Sequence, residues 1–299
     1  MKILKILAAL FFAAALLADL PAYEVRDALG REFSFEAPPK AITLTPAMSE
    51  TICAVGAGEY LLGVSKYCKY PPLLANTPEG AAIRAELEKK EVVGGFVDAN
   101  FEKILKLKPD IAVLQNTSSD FLLKKFESLG IRVFLLYPDG LENIAKNTEI
   151  IGRLFGKGKE GEALAKKIME AAAPVPAERR PRAIMLFDLM AAGSETYAGG
   201  LLQNCGFYNA VRGTKAAWAV LSKEFIMASK PEVLILQADD EADFERKKSI
   251  ILRDRIWQKT PAAKSGNIFY IPTALIITPS PRVIYAAQYL RDLRASLKD

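Results

Sequence analysis

The chain has 299 residues, with 40 Lys and Arg against 35 Asp and Glu, and 51% of its residues are hydrophobic. That apolar content is enough for two ordinary domains and too high for a disordered chain. The chain holds no histidine, which excludes hydrolases with a histidine base, His-ligated zinc sites and HExxH proteases. Its three cysteines, Cys53, Cys68 and Cys205, include no CxxC pair, so they cannot form a zinc ribbon. The mild, mixed charge does not suggest a nucleic-acid partner.

Residues 1–22 have the pattern of a secretory signal peptide. Lys2 and Lys5 precede an apolar run over residues 6–18, which is too short to span a bilayer comfortably. We expect cleavage after Ala22, with Ala18 as the alternative cleavage site and a retained N-terminal anchor as the alternative interpretation. No cysteine lies between the apolar run and Cys53, so we expect a released product and not a lipoprotein.

From residue 23 onward, short runs rich in Val, Ile and Leu alternate with helical stretches. This order predicts an α/β protein of two lobes with mainly parallel sheets. We divide the mature chain into an N-terminal lobe (23–140), a connecting helical segment (141–180) that serves as a stiff strut, and a C-terminal lobe (181–299). The connecting segment is interrupted by a Gly-Lys-Gly-Lys-Glu-Gly stretch at 156–161. Strands are predicted at 41–45, 61–65, 110–114, 132–136, 183–187, 232–236 and 267–271. Helices are predicted at 49–55, 100–107, 119–129, 223–229, 243–258 and 283–297.

An internal repeat relates the two lobes. Residues 100–114 match residues 222–236, and each copy has an N-cap residue, a Glu as second helical residue, a Lys-Pro-acid turn and a buried strand. The matching acids are Glu102 and Glu224. The helix dipole favours an acid in a first turn by roughly 0.3–1 kcal/mol. That explains an acid at either place, but not why each lobe presents one at the same position.

Several short motifs occur in a specific order along the chain. They are Asp27 to Arg31, Thr45-Pro46 followed by Ser49 to Ile52, Tyr67 to Pro71, Lys108-Pro109-Asp110, and Ser280-Pro281-Arg282. The ordered set resembles the periplasmic binding proteins that serve ABC importers of vitamin B12, haem and ferric siderophores. The likeness extends over about residues 23–297, and the pattern is most like that of the cobalamin-binding members.

The resemblance implies a class III periplasmic binding protein-like fold, in which one long interdomain helix joins two lobes and the ligand lies in the cleft between them. It implies a monomeric periplasmic protein that is not an enzyme, needs no cofactor and delivers a corrinoid or other metal chelate to an ABC permease dimer in the inner membrane. Glu102 and Glu224 match the acids that pair with permease arginines. Tyr67 matches a position that stacks on a corrinoid ring, and Trp218 matches an aromatic residue facing it from the other lobe.

Three further aromatic residues are candidates for ligand contact because they follow or adjoin predicted strands: Tyr70, Phe96 and Tyr197. Tyr70 is either a turn residue or a phenolate ligand to ferric iron. Tyr197 is more simply explained by packing over the edge of a lobe. Cys68, between the two cleft tyrosines, could contact ligand, be an incidental loop thiol, or form a disulfide with Cys205.

The identity of the ligand stays open at this stage. Where the cobalamin-binding members carry an acid and an arginine before Ser-Pro-Arg, this chain has Ala274 and Thr278, so a corrinoid, a haem and a ferric siderophore are all candidates. Two other functions also stay open. A two-lobed α/β enzyme would need a convergent acid-base set, which the sequence does not reveal, and a receptor-coupled sensor would bind ligand without transport.

Overall fold

The computed structural model describes residues 23–69, 77–115, 120–137, 139–214 and 216–297. The predicted signal peptide and Tyr70 lie outside the described residues. Within the described part of the chain, no helix has both the length and the apolar character needed to cross a bilayer.

The first lobe is built on a parallel sheet. Its strands are β3 (Ala41–Thr43), β4 (Leu61–Val64), β5 (Glu91–Val92), β6 (Ile111–Gln115) and β7 (Arg132–Leu136), preceded by the antiparallel pair β1 (Tyr23–Arg26) and β2 (Glu32–Phe35). Its helices are α1 (Pro46–Ala54), α2 (Pro78–Glu88), α3 (Phe101–Leu107) and α4 (Asp120–Ser128), with 3-10 turns at Gly58–Tyr60 and Lys66–Lys69. The sheet order β5-β4-β3-β6-β7 changes direction between β3 and β6, which is where open α/β sheets form a ligand crevice.

Two helices, not one, connect the lobes: α5 (Leu141–Leu154) and α6 (Gly158–Ala171). The expected single long helix is therefore wrong. The chain turns back at Gly156, whose φ of 68° lies in the left-handed region that favours glycine. Ile144 near the start of α5 packs in the core of the second lobe, and Leu154 at its end packs in the core of the first lobe. Ile168 of α6 lies again in the second core, so both helices pass between the lobes.

The second lobe has a mixed sheet of β8 (Arg182–Phe187), β9 (Met190–Ala192), β10 (Tyr208–Asn209), β11 (Trp218–Val220), β12 (Val233–Ala238) and β13 (Ile268–Pro272). The order is β11-β9-β8-β12-β13, with β10 beside β8. Strand β9 pairs antiparallel with both β8 and β11, and the β8–β10, β8–β12 and β12–β13 pairs are parallel. Its helices are α7 (Tyr197–Asn204), α8 (Lys223–Ser229), α9 (Glu241–Arg253), α10 (Pro261–Ser265), α11 (Thr273–Ile276) and α12 (Val283–Ser296), with a 3-10 turn at Trp257–Lys259.

The two-lobed α/β architecture with mainly parallel sheets is confirmed. All seven predicted strands are present within two residues at each end, and all six predicted helices are present. The strands were recognisable because they are continuous apolar runs, and β6 and β12 are buried along almost their whole length. The sequence did not reveal the strands β1, β2, β5 and β9 to β11 or the helices α2, α7, α10 and α11.

The hairpin of α5 and α6 closes on two glycines. A Cβ added to Gly161 would lie 2.9 Å from both the Cα of Gly152 and the carbonyl oxygen of Thr148. Both neighbours are backbone atoms, so they cannot move aside as a flexible side chain could. The absence of a side chain at these positions lets the two helices approach each other closely.

We expect Gly161→Ala to lower the free energy of unfolding by about 1–3 kcal/mol, because the added methyl group overpacks this contact. Gly158→Ala is the matched control in the same helix, since its added Cβ would meet only Arg153 Cγ at 3.9 Å. The control should be neutral or slightly stabilising, because alanine has the higher helix propensity. Urea unfolding of both variants measures the difference; equal stabilities would contradict the packing argument.

Candidate functional site

The carboxyl edges of the two sheets meet where the lobes touch. Helix α1 begins at Pro46, just after β3 ends, and its Glu50 contacts Arg282, which follows α11 and the carboxyl end of β13. Ligands of open α/β sheets bind outside the carboxyl ends of the strands. The candidate site is the space between these two edges, which we call the interlobe cleft.

On the first lobe, the cleft edge presents an aromatic face. Tyr67 lies in the 3-10 turn after β4 and is 47% exposed. Its ring packs beside Gly95, where an added Cβ would come within 3.0 Å of Tyr67 Cε2. Lys66 Nζ lies 5.2 Å from the centre of the same ring and 2.6 Å from Asp98 Oδ2. Their hydrogen bond raises the pKa of Lys66 and lowers the pKa of Asp98. The positive charge of Lys66 is therefore balanced by the Asp98 carboxylate. Phe96, in the loop after β5, is half-buried.

On the second lobe, Trp218 begins β11 and is half-buried. Its ring makes edge-to-face contacts with Phe187 at 4.9 Å and Tyr197 at 6.3 Å between ring centroids. Such contacts orient the indole and leave it little rotational freedom.

Tyr197 lies in the core and not in a cleft loop as expected. It is the first residue of α7, is only 3% exposed, and its hydroxyl donates to the carbonyl oxygen of Ile276. Burial raises the pKa of this phenol above its usual range. The Tyr197 ring packs against the Trp218 ring and has no exposed face for a ligand.

Asp139, just before α5, interacts with both Tyr197 and Trp218. Its Oδ1 accepts the backbone N–H groups of Gly140 at 2.7 Å and Tyr197 at 2.9 Å. Burial raises the pKa of the carboxyl, and hydrogen bonds from those two backbone groups and the Trp218 side chain oppose the rise. Asp139 was not singled out by the sequence analysis, because a lone Asp before a glycine is also the ordinary pattern of a turn.

A buried ion pair joins the two lobes. Arg282 donates from Nε to Glu50 Oε2 at 2.9 Å and from Nη2 to Glu50 Oε1, and Ser280 Oγ donates to Glu50 Oε2 at 2.7 Å. The Arg282 and Glu50 side chains are only 2% and 5% exposed. We call these three residues the interlobe clasp. Complete burial raises the pKa of the Glu50 carboxyl, although Arg282 and Ser280 oppose the rise.

The segment 273–278 forms a fixed wall after β13. Arg282 Nη1 donates to the carbonyl oxygen of Ala274, and Gln237 Nε2 donates to Thr273 Oγ1. Ile277 is the exposed apolar residue of this segment, whereas Thr278 is buried. The wall therefore lacks charged side chains, as its sequence indicated.

The cysteines do not form the disulfide considered above. No disulfide joins any of the three, and Cys68 and Cys205 lie in the cores of different lobes. Cys68 Sγ lies 3.0 Å from Ser49 Oγ and is buried, so it faces the core and not a ligand. In the part of the chain described, no three acidic or cysteine side chains are grouped to hold a metal ion.

The repeated helices have matching geometry. Asn100 and Ser222 cap α3 and α8 by accepting the N–H groups of Lys103 and Phe225 at 3.0 and 3.2 Å. Each helix ends at a left-handed lysine before a proline: Lys108 at φ 50° and Lys230 at φ 44°.

Glu102 and Glu224 are exposed in the first turns of these helices. Each helix leads directly into its strand, β6 or β12, so its first turn lies toward the carboxyl edge of the sheet. Glu102 pairs with Lys106 at 2.7 Å on the surface. At Glu224, hydrogen bonds from its own backbone N–H and from Ser222 lower the pKa of the carboxyl. Both acids are therefore exposed on the side of their sheets where the strands end at the cleft.

In a Trp257→Phe background, where Trp218 is the remaining tryptophan, we expect its fluorescence to report the protonation of Asp139. Because the folded pKa is raised, the change should occur above pH 3.8, the ordinary Asp value. The same shift makes the free energy of unfolding increase as the pH falls from the folded pKa toward 3.8. Asp139→Asn should abolish the fluorescence change and reduce the increase in stability, to which Glu50 also contributes because its pKa is raised. A fluorescence transition that persists in Asp139→Asn would contradict the assignment.

Comparison with known proteins places this geometry in a family. Residues 42–275 match the family described as "Periplasmic binding protein". The vitamin B12-binding protein of Salmonella typhimurium is 26% identical over 267 residues, covering 85% of this chain and 89% of that protein.

Two solved structures show the same fold. MolA of Haemophilus influenzae, bound to molybdate, has a TM-score of 0.74 at 20% identity and covers 91% of each chain. The periplasmic heme-binding protein RhuT of Roseiflexus sp. RS-1 has a TM-score of 0.66 at 20% identity and covers 86% of this chain and 96% of its own. The chain belongs to the periplasmic binding protein family.

Proposed function

We propose that the protein is the substrate-binding component of an ABC importer, which binds a planar metal chelate in the interlobe cleft and delivers it to a permease dimer in the inner membrane. A corrinoid ranks first among the ligands, a haem held by a tyrosine phenolate second, and a ferric siderophore third. Of the proteins named above, one is named for vitamin B12 binding and RhuT for heme binding, which supports this class of ligand, whereas MolA is bound to molybdate.

One observation carries the transport role: each lobe presents an exposed acid at the same place in the same structural unit. Glu102 and Glu224 share the cap, the left-handed lysine and the strand that follows. Exposed ion pairs are individually weak, but two of them on one rigid body gain from the high effective concentration of the second contact. A permease with two symmetric subunits could therefore bind both lobes at once.

The ligand ranking rests on the chemistry of the cleft. Tyr67 and Phe96 from the first lobe and Trp218 from the second offer flat apolar area with little conformational freedom to lose. Lys66 is neutralised by Asp98, and the Arg212 guanidinium lies 5.6 Å from the centre of the Tyr208 ring. An anionic siderophore would be bound better by unpaired arginines. Tyr197 is left out of the ligand-contact set because it is buried.

We further propose that residues 1–22 direct export, that the mature protein is released in the periplasm without a lipid anchor, and that it acts as a monomer without catalysing a reaction. The absence of cysteine before Cys53 supports release over lipid attachment.

The ligand is tested by titrating the purified protein with cyanocobalamin, cobinamide, hemin, a ferric catecholate and sodium molybdate in a calorimeter. We expect the tetrapyrrole-like compounds to bind most tightly. Tyr67→Ala and Trp218→Ala should each weaken binding about tenfold or more, because each removes one stacking face. Tyr208→Ala is the matched control. Tyr208 pairs with Arg182, the first residue of β8, and so lies at the amino ends of the parallel strands, whereas the cleft is at their carboxyl ends.

Tight binding of molybdate or the ferric catecholate, with no response to any tetrapyrrole, would refute the stacking arrangement. Turnover of a bound compound would favour the enzyme, and binding without uptake by cells carrying the cognate permease would favour a sensor.

We expect Glu102→Ala with Glu224→Ala to abolish ligand uptake while ligand affinity in solution stays nearly unchanged, because both acids lie outside the cleft. Each single variant should retain partial uptake, as expected when one of two linked contacts remains. Uptake of labelled ligand and calorimetry separate the two effects.

The control double variant is Glu127→Ala with Glu178→Ala, which removes two exposed acids near the amino ends of β7 and β8. It should transport normally. Loss of ligand binding in the Glu102 and Glu224 double variant would instead place those residues in the cleft or the core.

A further inference from the structure

The interlobe clasp is the most buried polar contact between the two lobes described here. Glu50 lies on α1, a helix that is otherwise uncharged and largely buried. Its carboxylate receives two hydrogen bonds from Arg282 and one from Ser280, and all three donors belong to the second lobe. A carboxylate and a guanidinium withdrawn from water are strongly coupled, since neither has solvent to replace its partner.

Next to the clasp, the apolar surfaces of the two lobes are not in continuous contact. A cavity of about 460 Å³ lies between them, lined by residues that include Cys53 of α1, Ile83 of α2, Leu164 of α6 and Arg282 just before α12. On the rim of this cavity, the Tyr285 hydroxyl donates to Glu79 Oε2 at 3.0 Å, again from one lobe to the other. Beside this space, directional polar contacts at the clasp and at Tyr285 join the two lobes.

Arg282 also connects the clasp to the cleft. The guanidinium that holds Glu50 through Nε and Nη2 donates through Nη1 to the carbonyl oxygen of Ala274. A movement of Glu50 relative to the second lobe would therefore disturb the segment 273–278.

We propose that Glu50 and Arg282 are positioning residues: the clasp fixes the angle between the lobes, and thereby the wall at 273–278 and the separation between Glu102 and Glu224. The consequence for ligand delivery rests on the proposed function, whereas the fixed angle is a property of the protein alone.

The angle is measured by pulsed electron spin resonance between labels at Lys124→Cys on α4 and Ala242→Cys on α9, both exposed helical positions. Burial raises the pKa of the Cys53 thiol to about 12 and of the Cys205 thiol to about 11, and Cys68 is buried, so the introduced thiols should react first. The chain without introduced cysteines gives the background. We expect one narrow distance distribution in the parent protein.

Three clasp variants differ in severity. Ser280→Ala removes one hydrogen bond, Glu50→Gln removes the negative charge while keeping the side-chain shape, and Glu50→Leu with Arg282→Met removes both charges. We expect the smallest change in Ser280→Ala and the largest in Glu50→Gln, a broadening or shift of more than about 2 Å, because that variant leaves the buried Arg282 charge without its counter-ion; about 2 Å is the scale of a genuine lobe rearrangement. The double variant leaves no unpaired charge but loses the directional contact, so its distribution should broaden to an intermediate extent. Affinity for cyanocobalamin should fall by about tenfold if roughly one molecule in ten keeps the binding angle.

The matched control is Asp27→Asn. Asp27 is a buried carboxylate paired with Arg31 inside the first lobe, so its loss should lower stability without changing the distance distribution. An unchanged distribution in all clasp variants, or equal broadening in Asp27→Asn, would overturn the proposal. Broadening in the clasp variants without binding of any chelate would support the clasp and refute the proposed ligand.

Discussion

The contact on which the two-lobed arrangement depends is the pair of opposite charges that Glu50 and Arg282 bury between the lobes. Each charge has lost its water, so removing one partner of such a pair typically costs about 3–5 kcal/mol. Each lobe therefore supplies the counter-ion for a buried charge of the other, so the stability of each lobe depends on their contact. The helices α5 and α6 strengthen this dependence, because α5 contributes Ile144 to one core and Leu154 to the other.

Residues that do not line the cleft hold its wall and its tryptophan in place. Arg282 holds the carbonyl oxygen of Ala274, and the buried Tyr197 hydroxyl holds that of Ile276. Asp139, between the lobes, fixes the first N–H of α7 and also interacts with Trp218. The ligand wall and the tryptophan are thus positioned by groups from widely separated parts of the sequence. Substitutions at these supporting residues should alter the cleft without removing any surface that a ligand touches.

The elements predicted well are those whose signals are local. Buried strands such as β12 appear as apolar runs, and α3 and α8 carry their own N-caps and end before Lys-Pro turns. The fold-back at Gly156 was missed because a glycine inside a helical pattern can equally be tolerated within a continuous helix. The burial of Tyr197 was missed because it depends on Ile276, which is 79 residues away in sequence. Glu50 did carry a signal: a single acid in an otherwise apolar helix must be paired if the helix is buried.

The proposed delivery role connects with the stability of the interlobe contact. Two weak surface contacts act together only if the distance between them matches the distance between their partners, since effective concentration falls steeply when the geometry is wrong. Glu102 and Glu224 lie on different lobes, so no element of a single lobe can set their separation. That separation is set by whatever fixes the angle between the lobes, and the buried charges of Glu50 and Arg282 are an interlobe contact whose disruption is costly. An exposed pair such as Tyr285 and Glu79 can exchange its hydrogen bond with water at little cost, whereas the clasp cannot.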